Sequence, residues 1–274
     1  MTLFPVCPLF VPANKLDWIS KAETSKADGL VIDLEDSVPL SDKRKSRDEL
    51  ARHLSSSHIS KPFFIRINSL KSQDGKEDIS LFNIKNKNFL GLIIPKIENP
   101  IELSVLPESL KLVLLIETAL ALENLSLLSE DKRVIGLALG GADLSAELGS
   151  DMSWDAMLLA RSMIVLQASK YGLITIDSPF MQIEDINELA QESRKARSIG
   201  FNSKFAIHPK QAEVIKESFL PTKEDLEEAQ KILKAFSKSK GGAISVDGKM
   251  IDEPIIKLMK KRLFLAGIDF KDNL

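Results

Sequence analysis

Glu117 and Asp143 close two successive apolar runs, KLVLLIET and RVIGLALGGAD. If those runs are neighbouring strands, the two carboxylates emerge side by side. Hard oxygen donors so placed suit Mg²⁺, with water and substrate oxygens completing its shell, better than they suit zinc. Salt bridges to Lys or Arg would use the same groups, so the carboxylates alone leave both readings open.

Arg66 ends the run PFFIRIN. A guanidinium leaving a strand buried on both faces needs a partner. That partner is either a ligand carboxylate gripped through two parallel hydrogen bonds or a structural ion pair with Glu35 or Asp36. In DLED, side-chain alternation sets Asp33 and Glu35 on one face and Asp36 at the tip. Glu35 and Asp36 are expected to support a metal-bound water or Lys96. His208 precedes Pro209, which keeps its backbone extended. With three histidines in the chain and no ligand spacing among them, it is expected at the ligand's edge rather than as an acid or base. Asp252, in GKMIDEP, reads locally as a helix N-cap. Ser37 and Ser145 lack a GxSxG elbow, which excludes a serine hydrolase.

The elements that must position these groups are short Val-, Ile-, Leu- and Phe-rich runs alternating with amphipathic stretches, the pattern of buried parallel strands and crossover helices. Eight such runs are present: residues 8–13, 29–36, 62–68, 91–96, 111–118, 133–143, 174–180 and 204–209. Helices are expected over 17–26, 41–55, 119–128, 154–171 and 183–199. Eight strand–helix units without a GxGxxG turn predict a TIM-type (β/α)₈ barrel rather than an open doubly wound sheet. Polar residues gather at the carboxyl ends of the runs, among them Asp33, Arg66, Lys96, Glu117, Asp143, Asp177 and His208. In a barrel they would share one mouth. Residues 1–220 are assigned to the barrel. Residues 221–274 form a helical extension whose Gly241, Gly242 and Gly248 mark a hairpin suited to a lid.

The formal net charge of −2 gives no basic excess for nucleic acid or an anionic membrane. The apolar amino terminus lacks a basic leader and is broken by Pro5, Pro8 and Pro12, unlike a signal peptide. No run approaches the roughly 20 apolar residues of a membrane span. A single cysteine, Cys7, excludes an intrachain disulfide and suits a cytoplasmic protein.

Read in order, LFVPANK, ADGLVIDLEDSVPLSDKRKSR, FFIRIN, IIPKIE, LLIETALALEN, ALGGADLSAELG, ARSIGFNSKFAIHPKQ and SVDGKMIDEP resemble the successive motifs of the HpcH/HpaI aldolase and citrate lyase beta-subunit family. The resemblance covers nearly the whole chain. It implies a homotrimer or hexamer acting on citryl-, malyl- or citramalyl-type thioesters of coenzyme A or a carrier protein. Cleavage of such a thioester leaves an acyl thioester and a 2-oxo acid. By the same resemblance Glu117 and Asp143 bind Mg²⁺, and Arg66 grips the oxo acid. Asp252 enters a neighbouring subunit's pocket as the proton-transfer group, joined as catalytic residues by Arg66 and Glu35. Gly141, Ala142, Lys96 and His208 are expected to contact substrate. Lys43 and Arg47 match basic family positions and would meet the nucleotide phosphates, unless they form only a solvated helix face.

Val6 and Cys7 stand where the family has Arg-Ser, Ala13 where it has glycine, and Glu147 where it has aspartate. The first departure bears on coenzyme affinity. Three other functions share the motifs or the fold: a coenzyme-free class II aldolase on 2-oxo-4-hydroxy acids, an acyl-CoA thioesterase, and a non-catalytic assembly partner. The coenzyme-free aldolases commonly carry a histidine base at the mouth, and no histidine lies at the first four strand ends here. That favours the thioester lyase.

Overall fold

A computed structural model describes residues 4–81, 84–239, 242–265 and 267–268. The chain divides into two compact units, Met1–Lys216 and Glu217–Leu274. The first is an eight-stranded parallel sheet in the order β1 to β8: β1 Pro8–Pro12, β2 Gly29–Asp33, β3 Phe63–Arg66, β4 Phe89–Ile94, β5 Leu112–Ile116, β6 Val134–Leu139, β7 Ile174–Asp177 and β8 Ser203–Lys204. A parallel bridge from Leu9 to Ala206 brings the last strand back to the first. Phe10 N–H donates to the Ala206 carbonyl at 2.9 Å, and Ala206 N–H to that of Pro8 at 3.0 Å. The sheet is therefore the expected (β/α)₈ barrel.

The helices are α1 Asp17–Thr24, α2 Lys43–Ser56, α3 Gln73–Asp78, α4 Ala119–Glu123, α5 Leu125–Leu128, α6 Gly141–Leu148, α7 Trp154–Tyr171, α8 Ile186–Ile199 and α9 Gln211–Phe219. Asn124 divides the helix expected over 119–128 into α4 and α5. Helix α7 starts where Ser153 accepts the Ala156 N–H and stops at Gly172, whose φ of 67° needs no Cβ.

Period-two alternation fills the barrel. Val31, Phe64, Ile93, Val113, Leu115, Ala138, Ile176 and Phe205 pack together in its interior. Two residues beyond Val31, Phe64 and Leu115 come Asp33, Arg66 and Glu117, so the interior layer leads directly into a charged one.

The second unit holds α10 Lys223–Ser237, β9 Ile244–Val246, β10 Lys249–Ile251 and α11 Glu253–Leu265. Thr222 and Asp225 form a capping box for α10. Strands β9 and β10 are antiparallel, and their turn uses Asp247 and Gly248 at φ 52° and 77°. Ile232, Leu233, Ile251, Met259 and Leu263 form this unit's own apolar core. Gly241, counted above in the hairpin, lies outside the described residues. Among the described residues no helix is long and apolar enough to cross a membrane.

Candidate active site

Asp33 and Arg66 are register partners on β2 and β3. Arg66 Nε donates to Asp33 Oδ1 at 2.7 Å and Nη2 to Oδ2 at 2.8 Å. Asp33 also takes the N–H groups of Glu35 and Ser37 at 2.9 and 3.1 Å. Burial would raise the Asp33 carboxyl, but the charge and hydrogen bonds of Arg66 outweigh it and hold the group below the ordinary carboxylate range. The strand ends at Asp33, so Glu35 lies in the turn beyond it rather than on the strand face expected from alternation. The principal partner of Arg66 is Asp33, and the foreseen ion pairs with Glu35 and Asp36 are present beside it at 3.0 and 3.6 Å.

Glu35 is buried between two cations. Arg66 Nη1 lies 3.0 Å from its Oε2, and Lys96 Nζ 2.9 Å from its Oε1. Both contacts are short, yet neither oxygen accepts a well-directed hydrogen bond. They are ion pairs without directed hydrogen bonds, on two oxygens that are both buried. Burial raises the Glu35 carboxyl despite Arg66.

Glu117 is 1% exposed. Its Oε1 accepts the Lys96 N–H at 2.6 Å, a contact that Lys96 makes from a left-handed backbone at φ 52°. Strain of that kind in a non-glycine residue concentrates at functional sites. Burial first, then the charges of Glu35 and Asp143, push Glu117 up to about 8. Asp143 does not end β6, as read from the sequence, but lies half-buried in the first turn of α6. Gly140 explains how Glu117 is seated: a Cβ there would fall 2.4 Å from Glu117 Cβ and 2.4 Å from its Oε2.

Glu117, Asp143, Asp33, Asp36 and Arg66 border one cavity of about 330 Å³, which Gly141 and Ala142 also line. Its remaining wall is largely apolar, with the Phe10 and Phe205 rings 5.0 Å apart and the Arg66 guanidinium stacked 4.8 Å over Phe10. Among the described residues no three His, Cys, Asp or Glu converge in metal-ligand fashion. A cation here would take Glu117 and Asp143, completing its shell with water and ligand oxygens as Mg²⁺ does. The donors fit: a buried carboxylate pushed up by its acidic neighbours gains from a divalent charge, and Gly140 leaves it room.

Other expected residues are placed differently. Arg47 is buried, and its guanidinium meets Asp78 at 2.6 Å, Glu77 at 2.7 Å and Asp74 at 2.8 Å. It fastens α2 to α3, which corrects the expectation of a phosphate contact. Lys43 Nζ donates to the Leu34 and Glu35 carbonyls at 2.8 and 2.6 Å, pinning the turn after β2. His208 Nδ1 accepts the Lys210 N–H at 3.2 Å, closing a local turn. Asp177 follows the inward Ile176 and therefore turns outward. It binds Arg161 at 2.8 Å and Lys204 at 2.6 Å, beside a separate cavity of about 400 Å³ between α7 and α8. In the second unit Asp252 precedes α11; its carbonyl takes the Ile256 N–H at 3.0 Å, while its Oδ1 is 3.5 Å from the Ile255 nitrogen.

Gly140 was not singled out in the sequence, and Asp33 was placed at the mouth without a role. Asp33 was signalled by its place two residues beyond an inward apolar position, and Gly140 by the paired glycines before ADL. At the departures, the Val6 and Cys7 N–H groups bind Asp28 at 3.0 and 2.7 Å, and Glu147 accepts the Ala119 N–H at 3.3 Å at the start of α4.

A parallel barrel with acidic and guanidinium groups gathered at its carboxyl mouth defines the class, an α/β-barrel enzyme. The chain belongs to the HpcH/HpaI aldolase/citrate lyase family, whose model matches residues 7–209. It is 30% identical over 286 residues to the mitochondrial citramalyl-CoA lyase of Rattus norvegicus, covering 94% of this chain and 85% of that one. It is 28% identical over 267 residues to a (3S)-malyl-CoA thioesterase of Cereibacter sphaeroides, covering 94% and 93%. Its fold is similar to that of protein CitE from Mycobacterium tuberculosis in complex with magnesium, acetoacetate and coenzyme A, with TM-score 0.84, 27% identity and coverage of 97% and 99%.

Proposed function

We propose that this enzyme is a Mg²⁺-dependent carbon–carbon lyase that splits a 3-hydroxyacyl thioester of coenzyme A, or of a carrier protein, into an acyl thioester and a 2-oxo acid. The observation that carries the reading is the gathering of Glu35 and Asp143 about the buried Glu117, which burial and those two charges push up to about 8. Such a cluster is at ease only with protons or a divalent cation in its midst. The citramalyl-CoA lyase relative supports the bond type.

Glu117 and Asp143 would hold the ion. Bound there, it supplies Lewis acidity to the substrate hydroxyl and to the carbonyl oxygen that replaces it. Glu35, whose carboxyl burial raises between Arg66 and Lys96, would accept the hydroxyl proton. The carbon–carbon bonding pair then passes to the carbon next to the thioester, giving its enolate. Arg66, fixed by Asp33, orients the departing oxo acid. Asp252 from a neighbouring copy returns a proton to the enolate carbon in a homotrimer or hexamer, with the second unit serving as lid. Gly141, Ala142, Lys96 and His208 would contact the substrate.

The experiment is an assay of the full chain with Mg²⁺ against malyl-, citramalyl- and citryl-CoA, scoring oxo-acid release. Turnover of none of the three, with free 2-oxo-4-hydroxy acids cleaved instead, would sink the reading. The thioesterase relative favours a second one, in which the same site hydrolyses the thioester. Release of the intact hydroxy acid with free coenzyme A identifies that outcome.

A further inference from the structure

The turn that follows β2 carries Glu35, and its backbone is held between opposite charges. Its donors face an anion, since Asp33 takes the Glu35 and Ser37 N–H groups at 2.9 and 3.1 Å. Its acceptors face a cation. The Lys43 ammonium reaches back from the start of α2 to the Leu34 and Glu35 carbonyls at 2.8 and 2.6 Å, and the Val38 N–H joins it on the Glu35 carbonyl at 3.0 Å. Backbone groups of a buried turn need partners. Hydrogen bonds to whole charges are roughly twice as strong as neutral ones.

The turn after β3 is fixed from the same helix. Arg47, one helical turn beyond Lys43, donates from Nε to Asp78 Oδ1 at 2.6 Å. Asp78 is wholly buried, and its Oδ2 accepts the Asn68 N–H and Nδ2, both at 2.8 Å. Asn68 stands two residues past Arg66. Gly75 of α3 lies flush against this turn, where a Cβ would collide with the Asn68 and Ser69 carbonyl oxygens. The two turns also meet directly, the Leu34 N–H donating to the Arg66 carbonyl at 2.9 Å.

We propose that Lys43 and Arg47 are positioning residues, a brace on α2 that sets the Glu35 carboxyl against the Arg66 guanidinium without either touching substrate. The inference rests on the reading in which Glu35 takes the hydroxyl proton and Arg66 orients the oxo acid. Residues four apart share one face of a helix, so a single rigid element fixes both turns. Through them it fixes the 3.0 Å between Arg66 Nη1 and Glu35 Oε2. Proton transfer and bond cleavage in one bound molecule need that distance kept, because the acceptor and the anchor must fit the same substrate at once.

Steady-state kinetics of the full chain with Mg²⁺, on one hydroxyacyl thioester in its coenzyme A and its pantetheine forms, test the brace alongside amide hydrogen exchange. Lys43→Met is expected to lower kcat about 10- to 100-fold on both forms with KM unchanged. It should also speed exchange across residues 34–38 about tenfold. Lys43→Arg still reaches both carbonyls and should recover most of each loss. Arg47→Lys, which cannot span three carboxylates, should act likewise through residues 67–69. The double variant should lose less than the product of the single losses, since both act on one distance. A loss confined to KM and to the coenzyme A form would make Lys43 a contact to the nucleotide phosphates and overturn the proposal. Fully multiplicative losses overturn the shared brace. A wild type that turns over no thioester defeats the lyase reading alone; faster exchange over 34–38 in Lys43→Met then still supports the brace, and unchanged exchange overturns it.

Discussion

Gly140 is fitted to Glu117 so closely that a methyl group there would fall 2.4 Å from the carboxylate's Oε2. Glu117 is otherwise held by the Lys96 N–H and enclosed on its buried side. Gly140→Ala is therefore predicted to displace the carboxylate and lower Mg²⁺ affinity about 10- to 100-fold, the loss that follows when the groups orienting a ligand are disturbed. Isothermal titration measures this; wild-type affinity in Gly140→Ala would mean that Glu117 is not a ligand.

The same carboxylate predicts a pH dependence. Its folded value, about 8, lies above its ordinary 4.5, so the metal-free fold binds this proton more tightly than the unfolded chain does. That stabilisation is complete below about 4.5 and is lost as pH rises through about 8. A cation must displace the proton, so Mg²⁺ affinity should rise about tenfold per pH unit between these values and then level off. Titrations in two buffers of different ionisation enthalpy should report release of about one proton near neutrality, and Glu117→Gln should abolish both effects.

Arg66→Lys keeps the charge and loses the fork. Lysine cannot make the paired bonds to Asp33 while facing the cavity. A fall of about 100-fold in kcat/KM is expected. Arg66→Ala should in addition destabilise the fold by about 3–5 kcal/mol by leaving Asp33 buried and unpaired. Chemical denaturation distinguishes the two variants.

Lys204 is wholly buried and joins Asp177, Glu192 and the Ser178 carbonyl at 2.6, 2.7 and 2.7 Å. Lys204→Met should cost about 3–5 kcal/mol of stability while leaving Mg²⁺ affinity unchanged. A loss of metal binding at temperatures where the variant remains folded would connect this cluster to the mouth.

The barrel was legible because doubly buried strands are written as continuous apolar runs; Glu117, Arg66 and Asp143 were marked as neighbours because each falls at or just past the end of such a run, and their roles were read from the family resemblance. What escaped depends on register and on distant partners. Asp33 meets Arg66 only because β2 and β3 pair residue for residue. Asp177 turns away from the mouth because Ile176 takes the inward position, a difference of one residue that apolar content cannot reveal. Arg47 looked available on its helix, and its three carboxylate partners lie on α3 roughly thirty positions onward. Asp143 was assigned to a strand because GGA continued the apolar run, whereas the paired glycines are where the strand gives way to α6.

Cys7 supplies the chain's single thiol and is fully buried, with burial and the nearby Asp28 pushing it well above the ordinary thiol range. Alkylating reagents and mild oxidants should leave the native enzyme untouched. A cysteine introduced on the surface would then be the only reactive thiol in the folded protein. A fluorophore placed at the β9–β10 turn would report whether that hairpin moves during turnover, without removing any native residue's sulfur.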